Sequence, residues 1–318
     1  MKKILALVCA LCLVFALCAC GQTAAPAEKT FTVGICQLVQ HPALDAATQG
    51  FRDALSEKLG DRVVFVEQNA SGDAPTCAVI CNQFVGDEVD LIMANATPAL
   101  LAAQSATNTI PVLGTSVTDY ASALEIDNWN GKTGTNISGT SDRVPEEEQA
   151  KVLNELFPDA ETVGILFCSA EPNSRVQADA ITPALEGMGY TVSEFVFADS
   201  NDVAQVAATA CDESDVLYIP TDNTAASNSE LISNVALNAK TPIIAGEEGL
   251  CKGCGVATLS ISYYDLGRVT GEMAAEILLN GKNPGDMEIQ FAPFMKKFDA
   301  DICAALGITV PEGYTAID

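Results

Sequence analysis

Apolar and polar positions alternate along this chain in two rhythms. Short β-branched and aliphatic runs at 32–37 (TVGICQ), 63–67 (VVFVE), 89–94 (VDLIMA) and 110–114 (IPVLG) predict strands. Between them, 43–59, 75–86 and 98–107 repeat apolar residues at helical spacing; Leu44, Ala47, Phe51, Ala54, Leu55 and Leu59 make one such stripe. Asp73 before Pro75, and Thr97 before Pro98, read as a helix cap and first turn. The pattern then starts again, with strands near 162–168, 191–197, 215–219 and 242–246 and helices near 173–187, 202–210 and 228–239. Pro145 followed by three glutamates opens a helix between the two halves.

The second half restates the first. Thr32-Val33-Gly34-Ile35 returns as Thr162-Val163-Gly164-Ile165, Pro42 as Pro172, Ala54-Leu55 as Ala184-Leu185, Asp90 as Asp215 and Pro111 as Pro242. A repeat this long is a whole lobe. Strand–helix alternation predicts an α/β fold of two doubly wound, parallel-sheet lobes facing a cleft, where small ligands bind. A helix at 264–280, a strand near 287–292 and a last helix near 299–306 trail the second lobe. They predict a chain that returns to lobe one and then to lobe two through a three-segment hinge near 136–142, 257–262 and 287–296. The expected lobes are 31–138 plus 262–288, and 139–261 plus 289–318.

Charge and cysteine use narrow the partners. The opening MKKILALVCALCLVFALCAC has two lysines and an apolar run, as a secretory signal over 1–19 does. Its end looks like a bacterial lipobox, with Cys20 as the lipidated residue and 20–30 as tether; Cys18 inside the box departs from the usual pattern. Plain secretion without lipid is the alternative. The expected location is therefore the extracytoplasmic face of the cell membrane. Loss of 1–19 removes two lysines and no acid, taking the net charge from −26 to −28. Such acidity argues against nucleic acid and anionic membrane surfaces as partners. Of 12 cysteines, eight lie beyond Cys20, and Cys251-Lys-Gly-Cys254 is the one CxxC. With a single histidine in the chain, no metal site or cofactor is expected; a local disulfide or free thiols remain open for that pair.

Several stretches carry a family resemblance: VGICQLVQHPALDAATQGF, the ATPA of NATPALLAA, GTSVTD, ISGTSDRVP, LFPDAETVGILFCSAEPNS, YIPTDNTAAS and YYDLGRVTG. Together they resemble the type I substrate-binding lipoproteins of ABC importers, in the branch assigned to tryptophan and tyrosine transport. The resemblance covers nearly all of 31–308, with CKGCG at 251–255 as a departure. It implies the type I periplasmic-binding-protein fold, a membrane permease and ATPase as partners, and an aromatic amino acid as ligand.

Ligands of open α/β sheets sit at the C-terminal strand ends. In lobe one those loops offer Gln37, His41, Asn95, Thr97, Thr115 and Ser116, mostly neutral donors beside helix N-termini. Lobe two offers Ser169, Glu171, Asn173, Thr221, Asp222, Asn223 and Glu247; the crossings add Ser141, Asp142 and Tyr264. Neutral donors on one lobe and acids on the other suit an α-amino acid. Thr97, Thr115 and Ser116 are expected to meet its carboxylate and Asp222 its ammonium, with Glu247 as second choice. Several of these residues also have ordinary structural readings, as caps for Thr97 and His41 and as a turn for Asp222. A sugar or nucleoside binder of the same fold and a tethered sensor are the alternatives. An enzyme is disfavoured: one histidine, no GxSxG and no phosphate-cradling loop are present.

Overall fold

The computed structural model describes residues 28–317; the expected signal, the expected lipidation site Cys20 and most of the expected tether lie outside the described residues. The first sheet contains β1 (Phe31–Gln37), β2 (Val63–Asn69), β3 (Leu91–Asn95), β4 (Val112–Val117) and β5 (Ile137–Ser141). The second contains β6 (Thr162–Cys168), β7 (Thr191–Phe197), β8 (Val216–Ile219), β9 (Ile243–Ala245) and β10 (Ala257–Ile261). β11 (Gln290–Phe291) then joins the first sheet, while β12 (Phe294–Phe298) and β13 (Thr315–Ala316) join the second. The orders are β11-β5-β4-β3-β1-β2 and β13-β12-β10-β9-β8-β6-β7. Pairing is parallel except between β10 and β12.

Helices α1 (Pro42–Leu59), α2 (Ala74–Gly86), α3 (Thr97–Ala106) and α4 (Tyr120–Ala123) belong to lobe one. Lobe two contributes α5 (Glu146–Leu156), α6 (Pro172–Gly187), α7 (Val203–Glu213), α8 (Asn223–Ser227), α9 (Ser229–Ala239) and α10 (Glu248–Cys254). Next comes α11 (Tyr263–Asn280), and last α12 (Ala300–Leu306). Period-two alternation gives each sheet two apolar faces. Val33, Ile35 and Met93 bury against α1 and α11, while Cys36, Ile92 and Ala94 bury against α2 and α3.

The sequence repeat marks equivalent structural jobs. Asp90 accepts from the Thr32 amide at 2.8 Å at the foot of β1, and Asp215 accepts from the Thr162 amide at 2.9 Å at the foot of β6. The return to lobe one is fastened by α11 lying on α1 with backbones almost touching. A Cβ at Gly267 would collide with the Ala47 carbonyl, and one at Gly50 with the Tyr264 carbonyl. Only glycine permits that approach.

Element boundaries differ from expectation where tertiary pairing decides them. β4 runs from Val112 to Val117, and the first-lobe strand β5 reaches Ser141, so the first crossing follows Ser141 and not residue 138. The segment 257–261 is a buried strand of the second sheet, with the crossing after it. The trailing strand divides at Ala292-Pro293 into β11 and β12, one in each sheet, which moves the last crossing beyond residue 288. The helix expected over 228–239 starts at Ser229, with Asn228 separating it from the short α8, and α10, over the CxxC, is an element that the hydrophobic pattern does not announce.

Candidate functional site

A small cavity of about 10 Å³ lies where the C-terminal strand edges of the two sheets meet. His41, Ser116 and Thr118 line it from lobe one, and Asn173, Thr221, Asp222, Asn223 and Glu247 from lobe two. Asp142 and Tyr263 line it from the crossings, with Leu44 and Ala226 as its aliphatic walls. Two side-chain contacts join the lobes directly across it: His41 Nε2 to Asn223 Oδ1 at 3.2 Å, and Thr118 Oγ1 to Thr221 Oγ1 at 3.3 Å. Neighbouring inter-lobe cavities of about 330 and 260 Å³ share lining residues with it: Glu247 and Tyr263 in the first, Asn223 in the second. A larger cavity of about 660 Å³ lies away from the strand ends, along α11, with lysines and glutamates around its rim.

Lobe one brings polar atoms without partners to this edge. Ser116 has φ 54°, and the β4–β5 register shifts between Gly114 and Val117. That bulge turns Ser116 into the cavity, where its hydroxyl has no partner. Thr115 stays beneath the edge, accepting from Thr140 Oγ1 at 3.2 Å; it does not line the cavity, contrary to expectation. Ala96, at φ 89° and ψ 158°, precedes Thr97, whose buried hydroxyl is also unpartnered at the start of α3. That backbone region is costly for a residue with a side chain and is characteristic of functional sites. Asn95 donates to the Leu44 carbonyl at 2.8 Å and keeps Oδ1 without a partner. Gln37 is fully occupied as a brace, donating to Asp45 at 2.7 Å and accepting from Thr48 at 2.7 Å.

His41 is neutral, its pKa pushed down by burial. Asn223 spends its amide N–H on Glu171 at 2.6 Å, so its Oδ1 accepts from His41 Nε2. This assigns the proton to Nε2 and leaves Nδ1 a buried acceptor with no partner.

Lobe two answers with carboxylates that accept from helix-starting amides of that lobe. Asp222 caps α8 through the Ala225 amide at 2.8 Å and also accepts from the Cys168 amide at 2.7 Å and Ser174 Oγ at 2.8 Å. Glu171 accepts from the Asn223 and Thr224 amides at 2.9 and 2.7 Å and from Thr224 Oγ1 at 2.7 Å. Glu247 caps α10 through the Gly249 and Leu250 amides. Burial pushes Asp222 up to about 8 and Glu247 up to about 7. Asp142, at the first crossing, accepts from Tyr263 Oη at 2.8 Å and Thr118 Oγ1 at 3.1 Å, and burial raises its pKa too.

Other expected residues take structural places. Ser141 donates to the Thr118 carbonyl at 2.9 Å. Ser169 is exposed and donates to the Phe197 carbonyl at 3.3 Å. Tyr264 turns outward to Asp53 at 3.0 Å, so the inward tyrosine is its neighbour Tyr263. Thr118, Leu44 and Ala226 are lining residues that loop-based reasoning missed, and of the two crossing tyrosines it chose Tyr264 over Tyr263. Thr118 lies just beyond β4, and only the helical turn beginning at Tyr263 separates two adjacent tyrosines. The cysteines beyond Cys20 are buried free thiols, Cys251 and Cys254 among them. Among the described residues no cluster could hold a metal ion, and no helix is long and apolar enough to cross a membrane.

The family model of ABC transporter substrate binding proteins matches residues 32–316. The chain belongs to that family. It is a binding protein and not an enzyme. A tyrosine-binding protein of Clostridioides difficile is 38% identical over 265 residues, covering 82% of this chain and 76% of the relative. A Streptococcus pneumoniae ABC domain solved in complex with L-Trp is 30% identical, with a TM-score of 0.86 over 91% of this chain and 100% of that one. The ligand-free, open structure of a Clostridium difficile substrate binding protein with adhesive properties is 38% identical, with a TM-score of 0.68 over 91% of this chain and 99% of that one. This binding protein thus superposes better on the L-Trp complex than on the open structure, whose sequence is nearer. In this chain His41 and Thr118 make direct contacts between the lobes.

Proposed function

We propose that this protein is a lipid-anchored, extracytoplasmic receptor that captures an amino acid, with an aromatic side chain, and presents it to the permease of an ABC importer. One observation carries the reading: a cavity closed by both lobes joins buried carboxylates to buried hydroxyl and imidazole groups that lack partners, with no lysine or arginine in its lining. An α-amino acid supplies both missing charges. Its carboxylate suits the hydroxyls of Ser116 and Thr97 and the N-terminus of α3. Its ammonium suits the carboxylates opposite.

The aromatic side chain rests on the tyrosine-binding relative and the L-Trp complex, and on the space at hand. The central cavity, at about 10 Å³, has room for little more than one water, so the side chain must enter the adjoining space of about 330 Å³, walled by Pro42, Ala43, Ala46 and Tyr263 and edged by Glu248, Lys252 and Lys297. Closure around the head group removes water and strengthens each polar contact. Anchoring through Cys20 follows from the signal pattern alone, and the permease from family membership.

Thermal-shift screening against all amino acids, common sugars and nucleosides, with calorimetry on each hit, tests this reading. Stabilisation by tryptophan, tyrosine or phenylalanine is expected. Stabilisation only by a sugar or nucleoside would refute the amino-acid assignment. Metabolic labelling with a fatty-acid probe, lost in Cys20→Ala, tests the anchor.

A further inference from the structure

The amino-acid reading leaves open where the ammonium goes and what balances its charge. Asp222 and Glu171, though acidic, are engaged by amides and hydroxyls of their own lobe. Asp142 and Glu247 accept from fewer donors, two each, against three or more for the other pair. They reach the same cavity from different segments, the first crossing and the loop after β9, and are 5% and 3% exposed. Asp142 has only the hydroxyls of Tyr263 and Thr118 as side-chain donors, and Glu247 only two backbone amides. The two carboxyls repel each other.

No lysine or arginine lines the cavity itself, although Lys252 and Lys297 line the adjoining space with Glu247. Tyr120 and Tyr263, facing Asp142, are neutral phenols whose own pKa values burial raises. Arg143, next in sequence, is taken by Asp119 and Glu146. Beside Glu247, Lys297 is taken by Glu248, and Cys251 and Cys254 are thiols with raised pKa values. His41 is neutral. Two buried carboxyls without a cation cannot both stay ionised at low cost. The second pointer to a ligand is independent of the acids: Ser116 Oγ and His41 Nδ1, each on a residue only 6% exposed, end in this cavity without partners.

We propose that Asp142 and Glu247 together hold the ligand's ammonium group, and that its arrival displaces a proton from the pair to water. Resting on the amino-acid reading, this adds a proton balance to it. Without ligand at least one of the two carboxyls carries a proton. With ligand, that O–H bond breaks, the proton leaves to solvent, and the ammonium N–H groups donate to the freed carboxylate. Raised pKa values of both groups are in keeping with that proton. Binding therefore tightens as pH rises toward neutrality, by up to about one log unit per pH unit for each proton released.

The test is calorimetry of L-tryptophan and L-tyrosine binding to the full chain at pH 5.5, 6.5 and 7.5, in buffers of different ionisation enthalpy. Net proton release at the two lower pH values, and affinity rising with pH, are expected. Glu247→Gln keeps an acceptor for the α10 amides, and should weaken binding at pH 7.5 by about tenfold or more. It should also lower the proton release and flatten the pH profile, which a purely structural cap would not do. Asp142→Asn provides the same reading should Glu247→Gln not fold. Tight binding with no proton release and a flat profile from wild type would overturn the protonated pair while leaving the amino-acid reading standing. Failure of wild type to bind any amino acid would overturn both.

Discussion

The two lobes share a repeat, a sheet topology and a strand-end geometry, yet their cleft edges are finished in different ways. On lobe one, Asn95, Thr97, Ser116 and His41 each leave a buried polar atom without a partner. On lobe two, Asp222 and Glu247 accept from amides of the helices they precede, and Glu171 accepts from the amides that begin α8; Asn173 Oδ1 is the lining atom there that lacks a partner. A buried polar group without a partner is costly in a lone protein and useful in one that awaits a ligand. Lobe two is thus a preorganised acidic wall, and lobe one is the side whose hydrogen bonds a ligand completes.

The largest test of that contrast is pH. Glu247 is raised from 4.5 to about 7 and Asp222 from 3.8 to about 8, so the folded protein keeps protons that the unfolded chain has released. Stability of the unliganded protein should therefore be greatest on the acid side. It should fall by several kcal/mol as pH climbs from about 4 to about 8, on the order of 1.4 kcal/mol for each tenfold loss of acidity that burial imposes. Asp215 works in the opposite sense, held low by Thr162, and its contribution is lost only below about pH 4. Urea midpoints across this range should show the decline, and saturating ligand should flatten it. A midpoint that rises steadily to pH 8 would contradict the buried acidic wall.

Asp222→Ala comes next. It strips acceptors from the Cys168 and Ala225 amides and from Ser174, and should cost about 2–4 kcal/mol in urea unfolding. Unchanged stability with lost ligand binding would reverse the roles given to the lobes. Ser116→Ala is the converse. Its hydroxyl has no partner, so stability should hold within about 0.5 kcal/mol while ligand affinity drops about five- to tenfold, read by calorimetry. Smallest of all, Ser169→Ala, at an exposed hydroxyl on lobe two, should move neither quantity by more than about 0.5 kcal/mol.

Much of the architecture was legible because local chemistry and periodicity specify it. The repeated Thr-Val-Gly-Ile strands, the capping Asp73 and the stripe of α1 all report their structure within a few residues. The loops at the strand ends were legible for the same reason, and many of the cavity-lining residues come from them. What the loops could not reveal is which side chain in each points inward. Thr115 and Ser116 look alike in sequence; a bulge against β5 buries one and presents the other. Tyr263 and Tyr264 are neighbours of the same type, yet the packing of α11 on α1 sends the first to Asp142 and the second to Asp53.

The sequence by itself determined two α/β lobes and the location of a cleft, since these follow from hydrophobic period, turn chemistry and a long internal repeat; the family was read from the resemblance of whole stretches. Only the tertiary structure decided which acids are already engaged and which polar atoms are left without partners. That distinction depends on donors brought from residues such as Cys168, Thr118 and Tyr263. These lie tens of residues from the carboxylates they meet, beyond the reach of any local pattern.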